Sequence, residues 1–211
     1  MEIFTVIILI LAGLVFCAIA GYLWVKRQGK TPSLSGVVIY QSQREPVIIN
    51  HTSTNLSIVP ESAIRNAKKT LHIAYGHTSH GSQITAGMTG LSRFAGAPHD
   101  SSLYTWNSDE IKGALDLRDS VISGDLGNPD RRSWADRTRT YLNDHREVNV
   151  VLWSWCGQVA GAKESHINTY LSLMNTLESE YPGVMFVYMT GHLDGTGVTG
   201  NLHIRNEQIR D

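Results

Sequence analysis

Two runs of this chain are almost wholly apolar, with little of the polar alternation that marks a half-exposed strand. They are EVNVVLWSW, residues 147–155, and VMFVYMTG, residues 184–191. Strands of this kind tend to be covered on both faces, as in a parallel sheet. Between them, HINTYLSLMNTLESEYPG repeats its apolar residues at helical spacing and stops at Pro-Gly. A strand, a helix and a second buried strand in succession indicate a layered α/β fold.

The same alternation extends along the chain. Helical patterns occupy PESAIRNAKK, SWADRTRTYLNDH, the segment after HTS in YGHTSHGSQITAGM, and the final NLHIRNEQIRD. Further strands are expected at residues 36–40, 46–50, 70–76 and 119–123. We therefore expect a three-layer α/β/α fold with a mostly parallel sheet.

The N-terminal part is of a different kind. Residues 3–25 carry no charge, and KRQGK follows them. A stretch of this length can cross a bilayer as a helix, whereas AIA at residues 18–20 resembles a signal-peptidase site. We expect a hydrophobic helix in residues 1–27, acting as a transmembrane anchor or signal segment, then a linker over 28–45 and an α/β domain over 46–211. The membrane is then a partner through residues 3–25.

Charge and cysteine content exclude two classes of protein. The 18 basic and 19 acidic residues nearly cancel, so no electrostatic footprint for nucleic acid stands out. Two cysteines, of which Cys17 lies in the apolar N-terminal segment, cannot form a disulfide framework. Cys156 follows an apolar strand and is expected to be a buried, inert thiol.

The segments that follow the strands carry the chemistry. In an open parallel sheet, ligands bind beyond the carboxyl ends of the strands. After residues 70–76, 119–123, 147–155 and 184–191 come HTSHGSQ, GDLGNPD, CGQVAGAKESH and HLDGTGVTGN. All four contain Gly, and together they supply Ser, His, Asp and Gln. We expect them to meet at one sheet edge and form a site.

Three of these strand ends resemble the conserved blocks of the SGNH (GDSL-type) hydrolases. They are YGHTSHGS, VISGDLG and VVLWSWCGQ. The resemblance implies a flavodoxin-like SGNH fold and a serine ester hydrolase with Ser79 as nucleophile, Ser82 being the second choice. It also implies an oxyanion hole from the Gly124 N–H, with Gly127 as the alternative, and from Gln158, which stands where the family usually has Asn. A serine needs an adjacent base before it becomes a good nucleophile.

In that family, a late Asp-x-x-His block supplies the base. The sequence reaches Asp211 without one, so we expect the domain to be truncated unless another histidine serves. His192 is the best internal candidate, because it follows an apolar strand, and Asp194 can orient it or bind a sugar hydroxyl. His77 and His80 flank Ser79 and are expected to line the substrate pocket. The resemblance further implies an ester substrate, with an O-acetylated carbohydrate as the candidate, and no cofactor. It also implies a catalytic domain outside the cytoplasm, although Lys26 and Arg27 leave the orientation open.

The same residues are compatible with two other functions. The side chains of His77, His80, His192 and Asp194 are of types that bind a metal, which would make the protein a metal-dependent hydrolase. A non-catalytic carbohydrate-binding surface module is the other reading, with sugar rings stacking on the tryptophans at positions 106, 134, 153 and 155.

Overall fold

The protein forms an α/β fold around a four-stranded, all-parallel sheet. The structure is a computed structural model that describes residues 49–94, 100–107 and 111–211. The strand order is β2-β1-β3-β4, and each neighbouring pair is parallel. The strands are β1 (His72–Gly76), β2 (Asp116–Asp119), β3 (Val150–Trp153) and β4 (Met185–Val187).

Helices connect these strands, as the sequence predicts. Within the described ranges they are α1 (Glu61–Thr70), α2 (Ser82–Leu91), α3 (Ser133–Asp144), α4 (Glu164–Glu180) and α5 (Asn201–Arg210). Helix α1 begins directly after Pro60, whose fixed φ suits a helix start. Short 3₁₀ helices lie at His51–Ser53, Leu56–Ile58, Ser79–Gly81 and Ser101–Tyr104.

Both faces of the sheet are buried. Residues of β1 alternate between two apolar clusters: Ile73 and Tyr75 join one, and Ala74 joins the other. The first cluster contains side chains of α1 and α2, and the second contains those of α3, α4 and α5. Helices therefore cover the sheet on each side, which confirms the predicted α/β class and is consistent with a three-layer fold.

Strands β1, β3 and β4 lie within their predicted ranges of 70–76, 147–155 and 184–191 but are shorter, and the predictions at 119–123 and 46–50 differ from the structure as well. The predicted strand at 119–123 shares only Asp119 with β2, because Ser120 has a φ of 55° and leaves the extended conformation. Of the predicted strand at 46–50, residues 49 and 50 are not in a strand. Asn50 instead accepts a hydrogen bond from the Thr52 amide and caps a 3₁₀ helix.

The N-terminal predictions lie outside the described residues. These include the apolar segment 3–25, the linker 28–45 and the expected strand at 36–40. Among the residues that are described, no helix is long and apolar enough to span a bilayer. The predictions of an anchor or signal segment and of the domain boundaries stay predictions.

Candidate active site at the carboxyl edge of the sheet

The four loops that follow the strands meet, as predicted. Thr78 Oγ1 of the first loop donates to Asp125 Oδ2 of the second at 2.6 Å. His80, also in the first loop, lies with its Nδ1 3.6 Å from the Sγ of Cys156 in the third. The same imidazole stacks on His192 of the fourth loop. Side chains from all four strand ends are thus held together at the edge where a parallel sheet binds its ligands.

Ser79 lies at a sharp turn between β1 and α2. Its side chain is exposed, and its φ of 30° is in the left-handed region that non-glycine residues rarely adopt. The turn is closed by the Gly81 amide, which donates to the Thr78 carbonyl at 2.9 Å. No described residue makes a hydrogen bond to the Ser79 hydroxyl, whereas the Ser82 hydroxyl donates to the Ser79 carbonyl at 2.7 Å. A strained strand-to-helix turn of this kind presents the nucleophilic serine in α/β-hydrolases.

The two candidate glycines differ in how their amides are used. Gly127 N donates to Asp125 Oδ1 at 3.3 Å, so that amide already has a partner. Gly124 has a φ of 100°, and a side chain there would collide with the Arg137 guanidinium. In the part of the chain that is described, the Gly124 N–H has no hydrogen-bond partner. Of the two candidate amides, that of Gly124 is therefore the unpaired one.

Gln158 lies against the second loop. A Cβ on Gly127 would be 2.7 Å from the Gln158 Cγ, so this loop can approach only because residue 127 is a glycine. The Gln158 Oε1 is buried and has no partner among the described groups. Its amide nitrogen is not among the buried unpartnered atoms, so the donating end of the carboxamide stays accessible.

The His80 and His192 rings form a nearly parallel stack. Their centroids are 3.8 Å apart, and the ring planes differ by 12°. The Nδ1 atom of His192 is buried without a partner in the described structure. Because His80 immediately follows Ser79 in the chain, the stack brings the His192 imidazole to the turn that carries the serine.

Asp194 and Cys156 differ from their expected roles. The Asp194 Oδ1 accepts hydrogen bonds from the Thr196 hydroxyl at 2.6 Å and from the Thr196 amide at 2.9 Å. These bonds, the hydroxyl first, lower the pKa of the exposed Asp194 carboxyl. No ion pair within 4 Å joins Asp194 to His192, so the predicted orienting contact is not formed. Cys156 is only partly buried and contacts His80, which contradicts the expectation of a buried thiol; its expected inertness stays a prediction.

His77 lies below the turn rather than at its surface. Its side chain is 8% exposed, and its Nε2 is 2.7 Å from Asp119 Oδ1 at the end of β2. The prediction that His77 lines a substrate pocket is therefore not supported.

Sequence reasoning missed Asp119, because it placed this residue at the start of a strand. With the correct strand end, Asp119 would have been recognised beside Tyr75, its partner in the β1–β2 register.

The metal-binding and sugar-stacking predictions find little support in the geometry. No group of three or more His, Cys, Asp or Glu side chains within the described ranges is arranged to hold a metal ion. In-plane lone pairs of two parallel imidazoles do not converge at the roughly 2.0–2.1 Å of a zinc–nitrogen bond.

Three of the four tryptophans, at positions 134, 153 and 155, are buried in the core. Only Trp106 is partly exposed, and its Nε1 donates to Thr89 Oγ1 at 3.2 Å.

Comparisons of the chain with protein-family models, with curated proteins and with solved structures find no match.

Proposed function

We propose that the protein is a serine ester hydrolase of SGNH type with Ser79 as its nucleophile. The observation that carries this proposal is the Ser79 turn: an exposed, unpartnered hydroxyl at a left-handed position, with three other loops packed beside it. The sheet order and the helices on both faces support a flavodoxin-like fold of that class. Folds of this class host many chemistries, so the fold alone does not assign the reaction.

The proposed reaction uses two steps. The Ser79 Oγ attacks the ester carbonyl carbon while His192 accepts the hydroxyl proton, and an acyl-enzyme forms as the alcohol leaves with that proton. Water then attacks the acyl carbon, His192 takes its proton, and Ser79 regains it when the acid is released. The Gly124 N–H and the Gln158 amide stabilise the oxyanion in both steps. His80 keeps the His192 ring in place by stacking, and Asp194 lies at the rim, where a sugar hydroxyl can reach it.

The substrate and location are extensions of this proposal. An O-acetyl ester of a carbohydrate fits a site with partly exposed His side chains, an exposed Asp and a carboxamide donor. An anchor or signal in residues 3–25 would place the catalytic domain at a membrane or outside the cytoplasm, where polysaccharide esters occur. No cofactor is needed for this chemistry, and nucleic acid is not an expected substrate for a chain of nearly balanced charge.

The test is hydrolysis of p-nitrophenyl acetate by the full chain and by Ser79→Ala. We expect the variant to lose on the order of 10³-fold or more in kcat, because its attacking oxygen is gone. Ser82→Ala is the matched control, since its hydroxyl is used within the turn, and it should keep activity within about threefold.

Two outcomes would contradict the proposal. Activity that is lost on chelation and restored by zinc would favour a metal-dependent hydrolase. Glycan binding without turnover of any ester, unchanged in Ser79→Ala, would favour a binding module.

A further inference from the structure

The Ser79 turn lies on a buried histidine. A Cβ on Gly81 would overlap the Cβ of His77 and would be 2.8 Å from its Nδ1, so the turn is in van der Waals contact with this imidazole. Tyr75 holds the same glycine: its hydroxyl donates to the Gly81 carbonyl at 2.9 Å. Burial raises the pKa of Tyr75 above its usual value, so the hydroxyl remains a donor. The floor of the turn is therefore made of His77 and Tyr75.

Asp119 determines where that imidazole lies. Its Oδ1 is 2.7 Å from His77 Nε2, an arrangement in which the Nε2–H donates to the carboxylate. Asp119 is the last residue of β2 and pairs with Tyr75 in the sheet register, so it is anchored to the core. The pair thus connects the end of β2 to the underside of the Ser79 turn.

The other imidazole nitrogen cannot act on a substrate directly. His77 Nδ1 is buried and has no partner among the described residues. A base in contact with substrate needs an accessible atom, and this one has none. Any role of His77 in the reaction is exerted through the shape of the turn.

We propose that His77, held by Asp119, is a positioning residue that keeps Ser79 in its left-handed conformation with its hydroxyl exposed. This inference rests on the proposed function of Ser79 and extends it to two residues below the site. Without the Asp119 contact, the imidazole can rotate, and the turn above it loses its support. A displacement of about 1 Å at a nucleophile can cost 10²-fold in rate.

The chain contains a matched control for this pair. His72 and Asp116 join the same two strands at their opposite ends, and His72 Nδ1 is also 2.7 Å from an Asp116 oxygen. That pair touches none of the four loops of the site. Its loss can affect folding stability and leaves Ser79 where it is.

The experiment compares Asp119→Ala, Asp119→Asn and His72→Ala in the full chain, with a fluorophosphonate probe and p-nitrophenyl acetate. In the labelling step, Ser79 Oγ attacks phosphorus, the P–F bond breaks, fluoride leaves and His192 takes the proton. We expect Asp119→Ala to lower the labelling rate constant and kcat by on the order of 10²-fold with KM nearly unchanged. Asp119→Asn keeps an oxygen that accepts the Nε2–H, so it should restore the rate to within about threefold. His72→Ala should label and hydrolyse like the parent chain, even if its melting temperature falls.

Two outcomes would overturn the inference. Unchanged rates in folded Asp119→Ala would show that the pair is only structural. A loss in Asp119→Asn as large as in Asp119→Ala would assign the role to the negative charge rather than to position. If Asp119→Ala does not fold, the rate of Asp119→Asn still decides between charge and position. Labelling that persists in Ser79→Ala would instead overturn the proposed function, which is a separate result.

Discussion

Two histidine–aspartate pairs join β1 to β2, one at each end of the strand pair. At the amino end, His72 contacts Asp116, and at the carboxyl end, His77 contacts Asp119; both distances are 2.7 Å. The pairs differ in what surrounds them. The amino-end pair belongs to a network in which each buried polar group has a hydrogen-bond partner. The carboxyl-end pair lies among buried polar atoms that lack one.

The amino-end pair is a structural network. Asp116 accepts hydrogen bonds from Arg118 Nε at 3.1 Å and Nη2 at 3.0 Å, and Arg118 Nη1 donates to Glu147 at 2.7 Å. Burial by itself would raise the pKa of Asp116, but the hydrogen bonds from Arg118 and His72 outweigh it, so the pKa lies below its usual value. Every buried polar side chain of this network has a partner.

The carboxyl end shows the opposite pattern. His77 Nδ1, Gln158 Oε1 and His192 Nδ1 are all buried there without partners among the described residues. Arg131 Nη1 and Arg205 Nε are also buried without partners in the described structure. Buried polar groups are nevertheless satisfied in the great majority of cases, so the three at this end need an explanation. A site that exchanges protons and binds an oxyanion is one reason to retain them. The difference between the two ends shows that hydrogen bonding is less complete at the end where we propose the active site.

The largest effect is expected at His192. Replacing it with alanine removes the proposed base, so kcat for p-nitrophenyl acetate should fall by about 10²- to 10⁴-fold. His203→Ala is the control, because this histidine lies on α5 and not in the loops of the site. Equal activity in His192→Ala and the parent chain would remove His192 from the mechanism and weaken the contrast between the two ends.

A smaller effect is expected at Gln158. Gln158→Ala removes one oxyanion donor and should lower kcat by about 10²- to 10³-fold while KM changes little. Gln208 provides the contrast of a satisfied carboxamide, since its Nε2 donates to Asn168 Oδ1 at 2.7 Å and to the Glu164 carbonyl at 3.1 Å. Its alanine variant should lose stability but not activity. A parallel loss of kcat in both variants would mean that Gln158 acts only by holding the fold.

The smallest effect is expected at the amino end, and it is one of stability. Asp116→Ala should lower the free energy of unfolding by about 2 kcal/mol near pH 7, because charged hydrogen bonds are lost. Since the pKa of Asp116 is lowered by folding, its contribution is present above the unfolded value of about 3.9 and disappears as the pH falls through the folded value.

Urea unfolding of the parent chain and Asp116→Ala, from pH 7 down to pH 3, checks this dependence. The gap between the two curves should close only on the acidic side. A gap that stays constant to pH 3 would show that the charge of Asp116 does not stabilise the fold. The parent chain and Asp116→Ala should have the same kcat per folded molecule, because the pair lies away from the site.

Much of the fold could be predicted from periodicity. The apolar runs at 147–155 and 184–191 and the striped helix between them gave the correct strand–helix–strand order, because burial on both faces requires apolar residues at successive positions. The boundary of β2 could not be predicted, because Asp116–Asp119 is polar at both ends. The Asp116 carboxylate is paired with His72 and Arg118, and the Asp119 carboxylate with His77. The local sequence does not encode these contacts.

Part of the candidate site could also be predicted from the sequence. Strand ends are readable in sequence, so Ser79, Gly124, Gln158 and His192 could be assigned to one edge. The left-handed φ of Ser79 and the buried state of His77 depend on packing against Gly81 and Asp119, which only the folded chain defines. The stacking of His80 on His192 also joins residues more than a hundred positions apart in sequence, and no local pattern predicts it.

The most direct test of the account is to locate a fluorophosphonate adduct on the full chain by peptide mass spectrometry. Ser79 and Ser82 lie three residues apart in the same turn, so fragmentation between them distinguishes the two. We predict a single adduct on Ser79 that still forms in the presence of a chelator. An adduct on Ser82 alone, or none on either serine in the folded protein, would contradict the assignment of Ser79 as the nucleophile.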